Sequence, residues 1–415
     1  MFGIKTFIIN SFLYPKFLFP SCNSKFPLKP VTKIKIRARL FGLLNKLKEQ
    51  KRYKGLGNLV VFPAKEANSV WGKLLPYNPN NLGNWSIKEI APNQETSLIE
   101  RQLIWQMINL YHGSRDKIEG YITNGGTEAN IFSAWLGRKF FEDKIFNKEK
   151  ICLIKTSLTH YSIDKAADIV GINTFVSPLN DNSWSLDIDG LKKTVRDLVK
   201  QGYKGFLLPL TLGYTLTGAS DSFESICSQV RQMKKEFKQI DFFIWFDAAL
   251  NGLVEPFLNP SFNPFICSEV KTFLTDFHKF GFAPIPAGLV LYRRELRKLI
   301  EKPIAYLDEK DNTLSGSRSG ITPVFCWTII NRLGKSGFKK LIIKRMKKKE
   351  RFMEENKNKK GISFISYPYS LNCGIIAERS FRDKSFIKTF GLEFRETDIE
   401  FVSKKKKIMI AKAFF

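Results

Sequence analysis

The sequence is poor in the residues that metal and disulfide chemistry need. Three histidines occur in 415 residues: His112, His160 and His278. They lie far apart, no His-Glu-x-x-His pair exists, and metal catalysis is not expected. The six cysteines, Cys22, Cys152, Cys227, Cys267, Cys326 and Cys373, include no Cys-x-x-Cys pair. Most sit in apolar runs. That suits buried free thiols in a reducing compartment, and hence the cytoplasm, better than a disulfide framework or a zinc site. No stretch is suited to crossing a bilayer. The apolar run Phe7 to Phe19 is broken by Pro15 and Lys16 and is too short. Acid is absent from Met1 to Leu47, which carry Lys5, Lys16, Lys25, Lys29, Lys33, Lys35, Arg37 and Arg39 among Phe, Ile, Leu and Pro. This reads as a poorly ordered or partner-docking arm, with organelle targeting or membrane-surface contact as alternatives.

What is present is globular. The chain is 43% hydrophobic, 26% charged and 13% aromatic, enough for one large domain and one smaller one. A net charge of +28 suits either a polyanionic partner or lysine-decorated solvated faces. The lysines are scattered and do not interleave with aromatics, so no nucleic-acid partner is expected.

Residues 1–95 form a basic arm and an irregular segment rich in Asn, Gly and Pro, notably Pro76 to Trp85. Residues 96–302 form the large domain. A helix is expected over Thr96 to Tyr111. From Gly120 strands and helices then alternate: strands at 121–123, 151–154, 173–176, 206–210, 242–246, 270–274 and 289–292, with helices at 129–141, 163–170, 191–200 and 223–237. Alternation with continuously apolar strands gives an α/β fold with a mostly parallel sheet covered on both faces. Residues 303–415 form a small C-terminal domain. It starts with a flexible polar link at Ser315 to Gly320 and continues with helices at 324–333 and 339–360.

The residues that carry chemistry follow strands, where ligands bind in such folds. Thr123-Asn124-Gly125-Gly126-Thr127-Glu128-Ala129-Asn130 lies between a strand and a helix. Gly125 and Gly126 let backbone approach an anion at the helix N-terminus, and Thr127 adds a hydroxyl. An ordinary glycine-rich turn is the other reading. His160 follows a strand, where an imidazole could stack on a planar ligand or serve as a structural group. Asp247 ends the apolar run Phe242 to Phe246, where a carboxylate needs a partner such as a protonated ring nitrogen, or caps the next turn. Ala248 and Ala249 are small enough for a flat ring to lie against. Lys279, beside His278 and between aromatics, is a desolvated amine able to form a Schiff base, or a lysine that snorkels to water. Together these are the parts that pyridoxal 5'-phosphate requires.

These stretches resemble the group II pyridoxal-phosphate-dependent amino-acid decarboxylases, from about Leu75 to Gly337. Residues 123–130 look like the family's phosphate loop, His160 its ring-stacking histidine, Asp247-Ala248-Ala249 its pyridinium aspartate and ring-supporting alanine, and His278-Lys279 its Schiff-base pair. Asn80-Asn81-Leu82-Gly83 and Ser315-Gly316-Ser317-Arg318 are similar to the histidine and serine decarboxylase branch. The resemblance implies the aspartate-aminotransferase fold, type I, and a homodimer. Cofactor contacts are implied for Gly125, Gly126, Thr127, His160, Thr215, Asp247, Ala249, His278 and Lys279, and substrate contacts for Asn81 and Arg318. Tyr214 replaces a family threonine. Tyr306 lies about where relatives carry a loop tyrosine that protonates the intermediate; His278 and Lys279 are alternatives. The implied activity is decarboxylation of an L-amino acid to its amine through a Lys279 Schiff base. Asp276 to Pro284 also resembles the sphingosine-phosphate lyases, which leaves a carbon–carbon lyase, or a catalytically impaired relative, as alternatives. Beyond Gly337 the resemblance fades, and the C-terminal domain is short or divergent.

Overall fold

The computed structural model describes residues 33–52, 55–57, 64–83, 95–145, 147–305 and 309–415. Two compact units divide the chain, Met1–Gly55 and Leu56–Phe415. In the first, α1 (Lys33–Arg52) is a helix built from strong helix formers, Leu, Lys, Arg and Gln. Its Ile34, Leu40, Phe41, Leu43, Leu44 and Leu47 face solvent. Part of the expected arm is therefore helical; residues 1–32 lie outside the described residues.

The second unit begins with α2 (Lys65–Leu74), β1 (Asn80–Leu82) and α3 (Glu95–Leu110). The alternating region follows as β2 (Ile118–Thr123), α4 (Gly126–Ile145), β3 (Ile151–Lys155), α5 (Ser162–Val170), β4 (Asn173–Val176), α6 (Ile188–Lys200), β5 (Gly205–Thr211), α7 (Phe223–Glu236), β6 (Asp241–Asp247), α8 (Glu255–Leu258), β7 (Val270–Asp276) and β8 (Gly288–Arg293). Seven of these strands form one sheet in the order β2-β8-β7-β6-β5-β3-β4. β8 runs antiparallel to both its neighbours, and the other pairs are parallel. All of β5 is buried, and so is β6 after Asp241, as expected of central strands covered on both faces. Trp245, Phe243 and Phe246 are fully buried there.

The chain continues through β9 (Lys302–Ile304), β10 (Glu309–Asp311), β11 (Ser317–Ser319), α9 (Ile321–Asn356), β12 (Ile362–Ser366), β13 (Asn372–Ala377), α10 (Lys384–Phe390), β14 (Arg395–Glu400) and β15 (Lys405–Phe414). The last four strands form an antiparallel sheet, β12-β13-β15-β14. One of its faces packs Ile399 and Ile410 with Leu158, Leu179 and Tyr214 of the alternating region. The other packs Cys373, Ile375, Ala411 and Ala413 with Phe352, Phe386 and Phe415.

Two expectations change and one holds. The polar link at Ser315 to Gly320 is not free, because β11 pairs antiparallel with β1, placing Arg318 opposite Asn81. The two expected C-terminal helices are both present within α9 and meet at Gly334, whose φ of 60° and ψ of 178° are non-helical and separate one from the other. The cysteines are not all free. Cys227 of α7 and Cys267, just before β7, form a disulfide across 40 residues of sequence, a pairing made by helix-on-sheet packing that no local spacing announces. Cys152, Cys326 and Cys373 are free and buried, and Cys22 lies outside the described residues.

Candidate active site

The loops after β2, β3, β5, β6 and β7 open on one cavity of about 310 Å³ at the carboxyl ends of the strands. Gly125, Gly126 and Thr127 line it from the mouth of α4, His160 from beyond β3 and Thr215 from beyond β5. Asp247 and Ala249 line it from the end of β6, and His278 and Lys279 from the end of β7.

The anion cradle has a local cause. Gly125 takes φ +129°, and a Cβ there would lie 3.0 Å from His278 Cε1. Glu128 turns back to accept from both the backbone and the side-chain amide of Asn124, at 2.9 and 2.7 Å, holding the turn closed. The first free N–H groups of α4, a 20-residue helix, are thereby aimed at the cavity.

Asp247 is 5% exposed and held from two sides. Asn130 Nδ2 donates to its Oδ2 at 2.9 Å, and the Ala249 N–H donates to Oδ1 at 3.2 Å. Asn130 is itself fixed by Trp245 Nε1, which donates to Asn130 Oδ1 at 3.0 Å. Its Nδ2 also donates to Ser162 Oγ at 3.0 Å, and that hydroxyl lies 2.8 Å from His160 Nδ1. The Ser162 N–H points at the same nitrogen, so Nδ1 is the acceptor and the ring proton sits on Nε2. Burial lowers the pKa of His160, against an upward pull from Asp247, and Lys279 adds to the lowering. The ring is held as a neutral plate in a fixed orientation, which suits stacking.

Lys279 is not the bare desolvated amine that its aromatic neighbours suggest. Its Nζ lies 3.0 Å from Oδ2 of Asp276, three residues back, because the turn after β7 brings the two together. His278 Nε2 is 3.6 Å from the same oxygen, and its Nδ1 is 2.8 Å from the Ala287 carbonyl. Asp276 is 3% exposed, and its Oδ1 is buried without a hydrogen-bond partner.

Asn81 and Arg318 do not line the cavity. They belong to a buried network around Glu100, which accepts from Arg318 Nη1 at 2.5 Å, Asn81 Nδ2 at 2.6 Å and the Ile122 N–H at 2.8 Å. Tyr306 lies outside the described residues. Tyr214, the departure from the expected threonine, turns its hydroxyl away into the interior. There it lies 3.0 Å from Thr156 Oγ1 and donates to Asp221 at 3.0 Å. The residues that the sequence did not reveal are Asn130, Ser162 and Asp276. Asn130 sits in the quoted glycine loop, but its partner is 117 positions away, and nothing local signals that.

The overall fold is that of the type I pyridoxal-phosphate enzymes. L-Methionine decarboxylase from Streptomyces sp.590 superposes with a TM-score of 0.79 at 16% identity, over 96% of this chain and 95% of that one. Lactobacillus brevis glutamate decarboxylase gives 0.74 at 19% identity, over 94% and 89%. Burkholderia pseudomallei sphingosine-1-phosphate lyase gives 0.75 at 17% identity, over 96% and 90%. The chain belongs to the pyridoxal-dependent decarboxylase family, whose conserved domain matches residues 63–378. Clostridium sporogenes tryptophan decarboxylase is 30% identical over 272 residues, 64% of this chain and 64% of that protein. Morganella morganii histidine decarboxylase is 30% identical over 260 residues, 62% of this chain and 65% of that protein. The chain thus spans just under two thirds of the length of these relatives.

The family's cofactor is pyridoxal 5'-phosphate, and the cavity fits it chemically. Gly126 and Thr127, the first residues of α4, line the cavity and offer a phosphate the unpaired N–H groups of a helix N-terminus, while the Gly125 N–H donates to Thr123 Oγ1 at 3.3 Å. Asp247 is a buried carboxylate on the cavity wall, suited to a protonated ring nitrogen.

Proposed function

We propose that this protein is a pyridoxal-phosphate-dependent amino-acid decarboxylase that works as a homodimer. The observation that carries the proposal is the convergence of Lys279, Asp247, His160 and the Gly125–Thr127 loop on one cavity in a chain of this family. The bound cofactor would supply an electron sink that takes up the electron pair left by departing carbon dioxide. Lys279 would supply the amine that tethers the cofactor. Asp247, fixed by Asn130, would keep a proton on the ring nitrogen. His160 would stack as a neutral plate and set the ring plane. His278 and Lys279 both line the cavity and would be the groups to return a proton.

A second reading rests on Asp276 to Pro284, the wall segment that resembles the phosphosphingolipid lyases. It would make the protein a carbon–carbon lyase releasing an aldehyde. The Tyr214 replacement gives little support to a third reading, loss of activity, because its side chain points away from the cavity.

The test is to load purified protein with cofactor and offer a panel of amino acids and a phosphorylated sphingoid base. Carbon dioxide from an amino acid supports the first reading and aldehyde release the second. Lys279→Ala should abolish the absorbance of protein-bound cofactor as an imine. A variant that keeps this absorbance would sink both.

A further inference from the structure

The cavity wall carries a carboxylate that the cofactor chemistry above does not use. Asp276 ends β7, lines the cavity and is 3% exposed. Its Oδ2 is paired with Lys279 Nζ at 3.0 Å, while Oδ1 is buried with no hydrogen-bond partner among the described residues. A buried carboxylate oxygen left without a donor is costly. The same carboxylate borders the anion cradle. A Cβ on Gly126, the first residue of α4, would lie 3.2 Å from Oδ2 and 3.5 Å from Oδ1, and one on Gly125 would lie 3.7 Å from Oδ1. The helix N-terminus that invites a phosphate therefore has a second negative group at its side. Like charges sharing a site disfavour one another until one of them is neutralised.

Two side chains of its own turn face Asp276. Lys279 is one, but it is also the amine that would tether the cofactor, so its ammonium is committed elsewhere once the cofactor is held. His278 is the other, and the roles of its nitrogens follow from their partners. Nδ1 lies 2.8 Å from the Ala287 carbonyl oxygen, which can only accept, so Nδ1 carries a proton. In a neutral ring Nε2 is then a bare acceptor, and it lies 3.6 Å from Oδ2 of Asp276. A carboxylate and an imidazole nitrogen thus face each other with no hydrogen to share. One added proton satisfies both, as a carboxylic acid or as an imidazolium.

The other titratable groups around the cavity have partners of their own. Asp247 of β6 accepts from Asn130 and the Ala249 N–H. Glu128, in the first turn of α4, is turned back onto Asn124. His160, beyond β3, accepts at Nδ1 from the Ser162 N–H. We propose that Asp276 and His278 form a proton-loading pair. Binding of the cofactor at the Gly126–Thr127 cradle draws one proton from solvent onto the pair, so that the phosphate meets a neutral pair instead of a bare carboxylate. This rests on the family's cofactor and not on the reaction that follows.

The experiment follows cofactor binding with no substrate present. Pyridoxal 5'-phosphate is titrated into cofactor-free wild type, Asp276→Asn and Asp276→Ser between pH 6 and pH 9, and affinity is read from the absorbance of the bound cofactor. Proton exchange is read in parallel, by calorimetry in buffers of different ionisation heat. Proton changes on the cofactor's own phosphate and ring and on Lys279 are common to all three proteins and cancel in the comparison. Wild type should take up about one proton more per cofactor than either variant. Uptake on binding means that affinity is lost as pH rises, so wild type should weaken relative to the variants by up to about tenfold per pH unit. Asn and Ser are neutral and can donate to His278 Nε2, so both variants should bind at pH 9 at least as tightly as wild type. Equal proton counts, with affinities that run parallel in pH, overturn the inference. So does weaker binding by both variants at pH 9, which would mean that the site needs the carboxylate charged. Far-UV circular dichroism reports that each variant is folded, and a defect confined to one of them is a packing effect that leaves the other to carry the comparison. If wild type binds no cofactor at any pH, the cofactor assignment itself fails, and that outcome is seen before any variant is compared.

Discussion

At the scale of single residues, Arg318 and Glu100 make the sharpest case. Glu100 is fully buried and Arg318 is 8% exposed, and they meet at 2.5 Å. Removing one member of such a pair leaves the other charge buried and uncompensated. Arg318→Met is therefore expected to lower folding stability by about 3–5 kcal/mol in denaturant unfolding. Were Arg318 instead a substrate contact, the same change would raise KM and leave the unfolding midpoint where it was. Asn130 makes a different case, because its amide is shared between Asp247 and Ser162 while Trp245 holds its oxygen. Asn130→Ala removes a donor from a buried carboxylate, a loss of about 1–3 kcal/mol. Asp247 lines the cavity and is the proposed partner of the cofactor ring, so part of that loss should appear as weaker cofactor retention on dialysis. An unfolding midpoint that drops while retention is unchanged would show that Asn130 is purely structural.

At the scale of elements, legibility tracks how local each signal is. The strand-end residues Asp247 and Lys279 and the glycine loop could be read because apolar run, turn residue and functional residue adjoin in sequence. The alternation of β2 to β8 was legible for the same reason. Strand β11 was not, because Ser317 to Ser319 is polar and becomes a strand only by pairing with β1, more than 230 positions away. The two helices within α9 were legible because Gly334, which takes a non-helical φ of 60°, falls between their apolar runs. The glycine loop also carries a prediction. At φ +129° an alanine at position 125 is strained, and its Cβ would press on His278. Gly125→Ala should weaken cofactor binding by about tenfold or more while leaving the far-UV circular dichroism unchanged. An unchanged cofactor dissociation constant would mean that the loop is not the cradle.

At the scale of the whole molecule, a buried carboxylic acid outside the site contributes to how stability responds to pH. Glu255, at the start of α8, is 8% exposed. Burial, followed by a smaller lowering from Asn259 and a raising from the Glu224 carboxylate, moves its pKa from 4.5 up to about 7. The native state thus keeps a proton between pH 4.5 and 7 that the unfolded chain has released. Wherever the native state binds more protons, stability falls as pH rises. The favourable contribution is therefore complete below pH 4.5 and lost above pH 7, a swing on the order of 3 kcal/mol. Glu255→Gln keeps the shape and carries no charge at any pH. Its melting temperature should exceed that of wild type at pH 8, and the gap should close towards pH 5. A gap that does not vary with pH would mean that Glu255 ionises at an ordinary value. Glu255 lies outside the cofactor cavity, so holoenzyme and cofactor-free protein should show the same pH-dependent gap, and that equality separates this effect from any titration of His160.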